Sequence, residues 1–179
     1  MLRTALPLLA MLVLPLTAEA QGQAQRAQPQ RLGNHQNWTA ATHQENGQKV
    51  CYAFTRAASS EQAPPNRQTV TLTVTHRPGG RDQISVSVGY ALPRGAETVL
   101  TVGSNEFRSY GVVQSSAFFQ NGEGVIRAFR GGREAVARTP GPTGGTPTGG
   151  TPARPVSDTF SLSGFTAAYE AISRECPAR

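Results

Sequence analysis

Few side chains in this sequence are equipped for chemistry. It has three histidines, His35, His43 and His76, and two cysteines, Cys51 and Cys176. The even spacing of His35 and His43 would put them on one face of an extended strand. The rise of such a strand would separate them by roughly 26 Å, too far to share a metal ion. No dense ligand spacing surrounds any of the three, so they read as solvated histidines near loops, and no metal or cofactor is expected. The sequence has no Gly-x-Ser-x-Gly and no His-Glu-x-x-His. Gly122-Glu123-Gly124 lacks the third glycine and the following helix of a nucleotide fingerprint. The acids Glu97, Glu106, Glu123, Glu134 and Asp158 stand singly. A glycosidase would need two opposed carboxylates, and the sequence leaves such a pair open. Asp158 reads as a strand-edge or turn residue accepting backbone hydrogen bonds. No catalytic residue is assigned and the chain is not expected to be an enzyme. The alternative is a small periplasmic hydrolase with a carboxylate or histidine site.

One charge cluster supports a binding hypothesis. Arg127, Arg130, Arg133 and Arg138 surround Phe129 and Gly131-Gly132. With Arg127 on a strand, and Arg130 and Arg133 flanking a turn, guanidinium groups would converge at one end of the fold. Arg127, Arg130 and Arg133 are therefore the candidate anion-binding residues, for an anionic glycan, lipopolysaccharide or phosphate. The competing reading is a solvated edge that aids solubility.

The N-terminus explains the cysteines. Arg3, the apolar run Ala5 to Leu16 and the Ala18-Glu19-Ala20 pattern form an export signal over residues 1–20. The run is too short to span a bilayer as a helix, and no integral membrane segment is expected after cleavage. Two cysteines in an exported chain predict one bridge, Cys51 to Cys176. Such a bridge would close a very long loop and stabilise by roughly 4–5 kcal/mol in the chain-entropy account. The net charge is +6, from 17 basic and 11 acidic residues, and Lys49 is the single lysine. That excess reads as solubility with weak polyanion affinity, and nucleic acid is not expected as a partner.

The elements that must position these residues are mostly strands. Residues 21–33 are Gln-rich, with almost no large apolar side chain, and read as a disordered lead. A domain follows over 34–177. A strand over Gln36–Thr42 and a return over Lys49–Thr55 flank Asn46-Gly47, a hairpin signal. Thr69 to Thr75 alternates without a fault, Ile84, Val86 and Val88 repeat the period, and Glu97–Val102 is a further strand. Phe107–Val113, Ser116–Phe119, Val125–Phe129 and Arg133–Arg138 complete the set, with Asn121-Gly122 read as a second hairpin turn. Residues 139–155 carry a Pro-Thr-Gly-Gly-Thr unit twice and read as a flexible insertion. Phe160 and Leu162 alternate in a last strand. Phe165, Ala168, Tyr169 and Ile172 then form one helical stripe, with Ser163 or Thr166 as its cap. Short strands with regular turn signals predict an all-β, antiparallel β-sandwich with one C-terminal amphipathic helix. Phe160, Leu162, Phe165, Tyr169 and Ile172 are its expected core residues.

A family resemblance extends this reading. It is carried by Trp38 ahead of Cys51, Thr75-His76-Arg77-Pro78, Ser85-Val86-Ser87-Val88-Gly89-Tyr90 and Ala117-Phe118. Ile126-Arg127-Ala128-Phe129-Arg130-Gly131-Gly132 and the closing Asp158-Thr159-Phe160-Ser161-Leu162-Ser163-Gly164-Phe165, with a late Cys176, add to it. In this order the segments resemble the invasion-associated locus B family of exported bacterial proteins. The resemblance implies an immunoglobulin-like β-sandwich that is periplasmic or secreted. It implies an association with entry into host cells and no defined biochemical activity. The expected partner is an envelope or host protein, or an anionic glycan. The Gly/Pro/Thr insertion departs from the usual pattern.

Overall fold

A computed structural model describes residues 28–142 and 154–178. The expected signal at 1–20, residues 21–27 of the lead and residues 143–153 of the insertion lie outside the described residues. The strands are β1 (Gln30–His35), β2 (Trp38–Glu45), β3 (Gln48–Arg56), β4 (Ser59–Glu61), β5 (Thr71–Arg77), β6 (Gly80–Ser87), β7 (Val99–Val102), β8 (Asn105–Val113), β9 (Ser116–Phe119), β10 (Glu134–Thr139) and β11 (Val156–Ser161). Two helices join them, α1 (Gly122–Gly131) and α2 (Phe165–Glu175).

All strand pairs are antiparallel, in the order β1-β2-β3-β5-β6-β9-β8-β7-β10-β11-β4. β8 makes the fold two-layered. Its first half pairs with β7, from Val99↔Arg108 to Val102↔Asn105. Its second half pairs with β9, from Ser109↔Phe119 to Val113↔Ser116, with a register shift between Ser109 and Gly111. A bulge of this kind bends a strand and lets it change layers. At the far end β4 pairs with β11, and the Ala58 N–H donates to the Thr159 carbonyl at 2.7 Å. The result is the antiparallel β-sandwich read from the sequence.

The core follows the alternation. Leu72 and Val74 of β5, Ile84 and Val86 of β6, and Cys51 and Ala53 of β3 are buried. Tyr52 and Phe54, on the other side of β3, are half-buried and stack on each other at 6.0 Å. Asn46 and Gly47 both take positive φ, as the two-residue hairpin turn requires. Trp38, Phe129 and Phe165 meet between the helices and the sheet. The Trp38 ring lies 4.9 Å from Phe165 and 6.3 Å from Phe129, and its indole N–H donates to the Ser161 carbonyl at 3.0 Å. Phe160, Leu162, Phe165 and Ile172 are buried, while Tyr169 is half-buried.

Three local expectations are corrected. Gly122–Gly131 is a helix, not a hairpin turn followed by a strand. Asn121 does take the positive φ that the Asn-Gly signal implies, but its side chain accepts the Gly124 N–H and caps α1. Val125, Ile126 and Phe129 then form a buried helical face, with acidic Glu123 in the first turn and Arg130 in the last. β1 begins at Gln30, within the segment expected to be disordered. Its ladder with β2 satisfies the backbone, and Leu32 packs against the core. Gly164, with φ of 89°, is the N-cap residue of α2 and no side chain caps the helix, so neither Ser163 nor Thr166 fills that role.

Candidate functional site

The C-terminal helix ends in the most developed polar constellation of the fold. Cys51 of β3 is bonded to Cys176, 125 residues away, just past α2. His76 of β5 is the register partner of Cys51, so it lies beside the bridge. It has the parity of Leu72 and Val74, and its side chain is 1% exposed. The Asp82 backbone N–H points at His76 Nδ1 at 3.3 Å, which makes Nδ1 an acceptor and leaves the ring proton on Nε2. Nε2 faces Ser173 Oγ at 3.2 Å, and the Tyr169 hydroxyl donates to Asp82 Oδ1 at 2.8 Å. Burial holds the His76 imidazole well below its ordinary value, down to about 4. The Arg81 charge adds to this, and the Asp82 carboxylate opposes it in part.

Ser173, His76 and Asp82 superficially share the members of a hydrolytic triad. Their proton arrangement is the wrong one. A general base must present a lone pair to the serine, whereas Nε2 presents its proton, and Asp82 Oδ1 stands 3.7 Å from Nδ1. The cluster joins α2 to β5 and β6.

A cleft of about 580 Å³ opens on this corner. Gln48, Lys49, His76, Arg77, Arg81 and Glu175 contribute its polar lining, and Cys176–Ala178 forms one wall. Lys49 Nζ meets Glu175 at 2.5 Å across an exposed rim. Arg77 donates to both oxygens of Glu45, at 2.9 and 3.0 Å, and this pair lowers the Glu45 carboxyl against a smaller opposing effect of burial. Arg81 reaches from β6 to the Cys176 carbonyl and to Ser173 Oγ, the latter at 3.3 Å.

The arginines singled out from sequence lie elsewhere. Arg127 and Arg130 are exposed on α1, Arg133 is exposed between α1 and β10, and Arg138 is exposed on β10. Arg127 pairs with Glu123 one helical turn back at 2.8 Å, and Arg130 lies 5.1 Å over the Tyr169 ring. Of the three candidates, Arg127 borders a second groove, of about 540 Å³, between the β7–β8 turn and α1.

The remaining candidates are dispersed. Glu97 pairs with Arg108 on the surface. Asp158 is not a turn residue but a fully buried carboxylate in a two-point ion pair with Arg67, at 2.8 and 2.5 Å. Ser60 donates to the same carboxylate at 2.6 Å, and Arg67 Nε donates to the Val88 carbonyl at 2.5 Å. The signal for this burial lay in the parity of β11, where Val156, Asp158 and Phe160 share the inward face. His43 sits beside Glu45 at 3.0 Å, and no group of three metal-ligating side chains occurs among the described residues. Nor is any helix among them long and apolar enough to cross a membrane.

These features bear comparison with known proteins. No curated protein matches the chain. The crystal structure of invasion associated protein b from Bartonella henselae superposes with a TM-score of 0.52 at 15% sequence identity. The match covers 80% of this chain and 95% of that one, and at such identity it concerns the fold. The family described as "Invasion associated locus B (IalB) protein" matches residues 38–173, from the buried tryptophan to the serine beneath His76. That span takes in most of the sequence, and the chain belongs to the invasion associated locus B family.

Proposed function

We propose that this is an exported, non-catalytic interaction protein of the bacterial envelope, presenting the loops of a disulfide-closed sandwich to an envelope or host protein. The observation that carries this reading is the Cys51–Cys176 bridge, which ties the last helix to the first long hairpin. Such bridges persist in the periplasm and outside the cell and are rare in the cytosol. The proton arrangement at His76 and the separation of His76, Glu97 and Asp158 favour binding over catalysis. Cell fractionation followed by mass measurement before and after reduction and alkylation tests the compartment and the bridge together. Two freely alkylated thiols in periplasmic material overturn the reading. Crosslinking in the intact envelope identifies the partner, and an esterase activity lost in S173A would replace interaction with hydrolysis.

A second reading is a binding module for anionic glycans, centred on Arg127, Arg130 and Arg133. The groove bordered by Arg127 supports it, and the exposed pairing with Glu123 is weak enough to exchange for a ligand. Heparin or lipopolysaccharide binding unchanged by replacing all three arginines with alanine excludes that surface.

A further inference from the structure

The cleft beside the disulfide has a chemistry that neither reading uses. Three described arginines are not fully exposed: Arg67, Arg77 and Arg81. Arg67 is answered by Asp158 and Arg77 by Glu45. Arg81 has no carboxylate within ion-pair distance among the described residues. Its acceptors are the neutral Cys176 carbonyl and the Ser173 hydroxyl, and the neighbouring Asp82 carboxylate is engaged by Tyr169. A half-buried guanidinium held by two neutral acceptors keeps its charge and its remaining N–H donors for a further partner. It lies in the lining of the 580 Å³ cleft, within the size range of small-molecule sites. Lys49 stands on the same rim. Its pairing with Glu175 leaves the two side chains 49% and 35% exposed. An exposed pair of this kind is weakly held, so the ammonium can turn to a ligand at little cost. His76 stays neutral at physiological pH, so the positive charge facing the cleft comes from the arginines and Lys49.

We propose that this cleft is a binding site for a small oxyanion, a carboxylate or phosphate, with Arg81 as the anchoring cation and Lys49 as a movable second one. Pro78, Pro177 and Ala178 in the lining leave room for the carbon skeleton that carries the anion. The proposal stands apart from the arginines on α1 and from the identity of any protein partner.

Calorimetric titration of the purified full chain with glucose 1-phosphate, glucuronate, inorganic phosphate and glucose tests it. The sugar phosphate or glucuronate should bind, neutral glucose should not, and added salt should weaken binding. R81Q keeps a hydrogen-bonding side chain but loses the charge, and should weaken anion binding about tenfold or more. K49Q, on the exposed rim, leaves the fold intact and should weaken it a few-fold. R127A/R130A/R133A should bind like the parent protein. Sugar-borne anions that bind better than inorganic phosphate support the site with a glycan as its source. Equal binding supports it with the free anion as its source. The proposal is overturned if no anion binds, if glucose binds equally, or if a folded R81Q binds like the parent; should R81Q not fold, K49Q binding like the parent overturns it. It is also overturned if the loss appears in the α1 triple variant instead.

Discussion

Arg67 and Asp158 bury opposite charges where water cannot reach them, with the Arg67 side chain 5% and the Asp158 side chain 0% exposed. Removing one member leaves the other charged and unpaired in the interior, which costs about 3–5 kcal/mol. D158N should lose that much in chemical unfolding, and R67M/D158L should recover most of it. A D158N midpoint equal to the parent's would show that the pair contributes nothing. His76 has a different pH signature. Its folded value of about 4 lies below the ordinary 6.5, so the unfolded chain takes up the proton first. Its contribution is complete above about pH 6.5 and is lost as the pH falls toward about 4. Between pH 7.5 and 4.5 the parent should lose on the order of 2 kcal/mol more stability than H76Q, measured by urea unfolding at both values. Both burials were legible as parity, because His76 is in phase with Leu72 and Val74, and Asp158 with Phe160. What the sequence did not show was the partner. Arg67 comes from a loop 91 residues away, and ion pairing at that distance is decided by the finished fold.

At the scale of elements, two glycine-rich junctions set where the helices begin. Gly164 has a φ of 89°, and a Cβ there would stand 1.9 Å from the His35 carbonyl oxygen. G164A should therefore destabilise by more than about 2 kcal/mol and displace α2 from β1 and β2. N121A, which removes the cap of α1, should cost about 1 kcal/mol. Thermal unfolding should rank G164A well below N121A, and the reverse order would mean that the α2 junction has slack. β6, β7, β10 and β11 were readable because one face of each enters the core with a period of two, whereas β1 and β4 have no buried face to mark them. α1 was missed because its Asn-Gly start is the same signal that opens a hairpin. The contrary signs were local: Glu123 four residues before Arg127, and Val125, Ile126 and Phe129 spaced for a helix rather than a strand. The helix places Arg127 and Arg130 on its exposed face rather than at a strand end.

For the whole molecule, the topology of a single sheet bent at β8 and tied again at β4 is beyond sequence patterning. It depends on which strands pair across long intervals, such as β7 with β10 and β4 with β11. The cleft at the bridge was hidden for the same reason, since Lys49, Arg77, Arg81 and Cys176 come from four separate elements. The Cys51–Cys176 link restrains the unfolded chain over 125 residues. C51A/C176A should lose about 4–5 kcal/mol, read as a lower urea midpoint. An unchanged midpoint would mean that the bridge has no net effect on stability. The same link makes the segment from Cys51 to Cys176 a covalent ring, and α1, most of the sheet and residues 143–153 all lie within it. One peptide bond cut anywhere inside that ring opens it without dividing the molecule. After limited proteolysis a single nick there should leave one band on a non-reducing gel and two on a reducing gel. A cut upstream of Cys51 should release its fragment without any reductant. The protein therefore remains one covalent body after a single cut between Cys51 and Cys176.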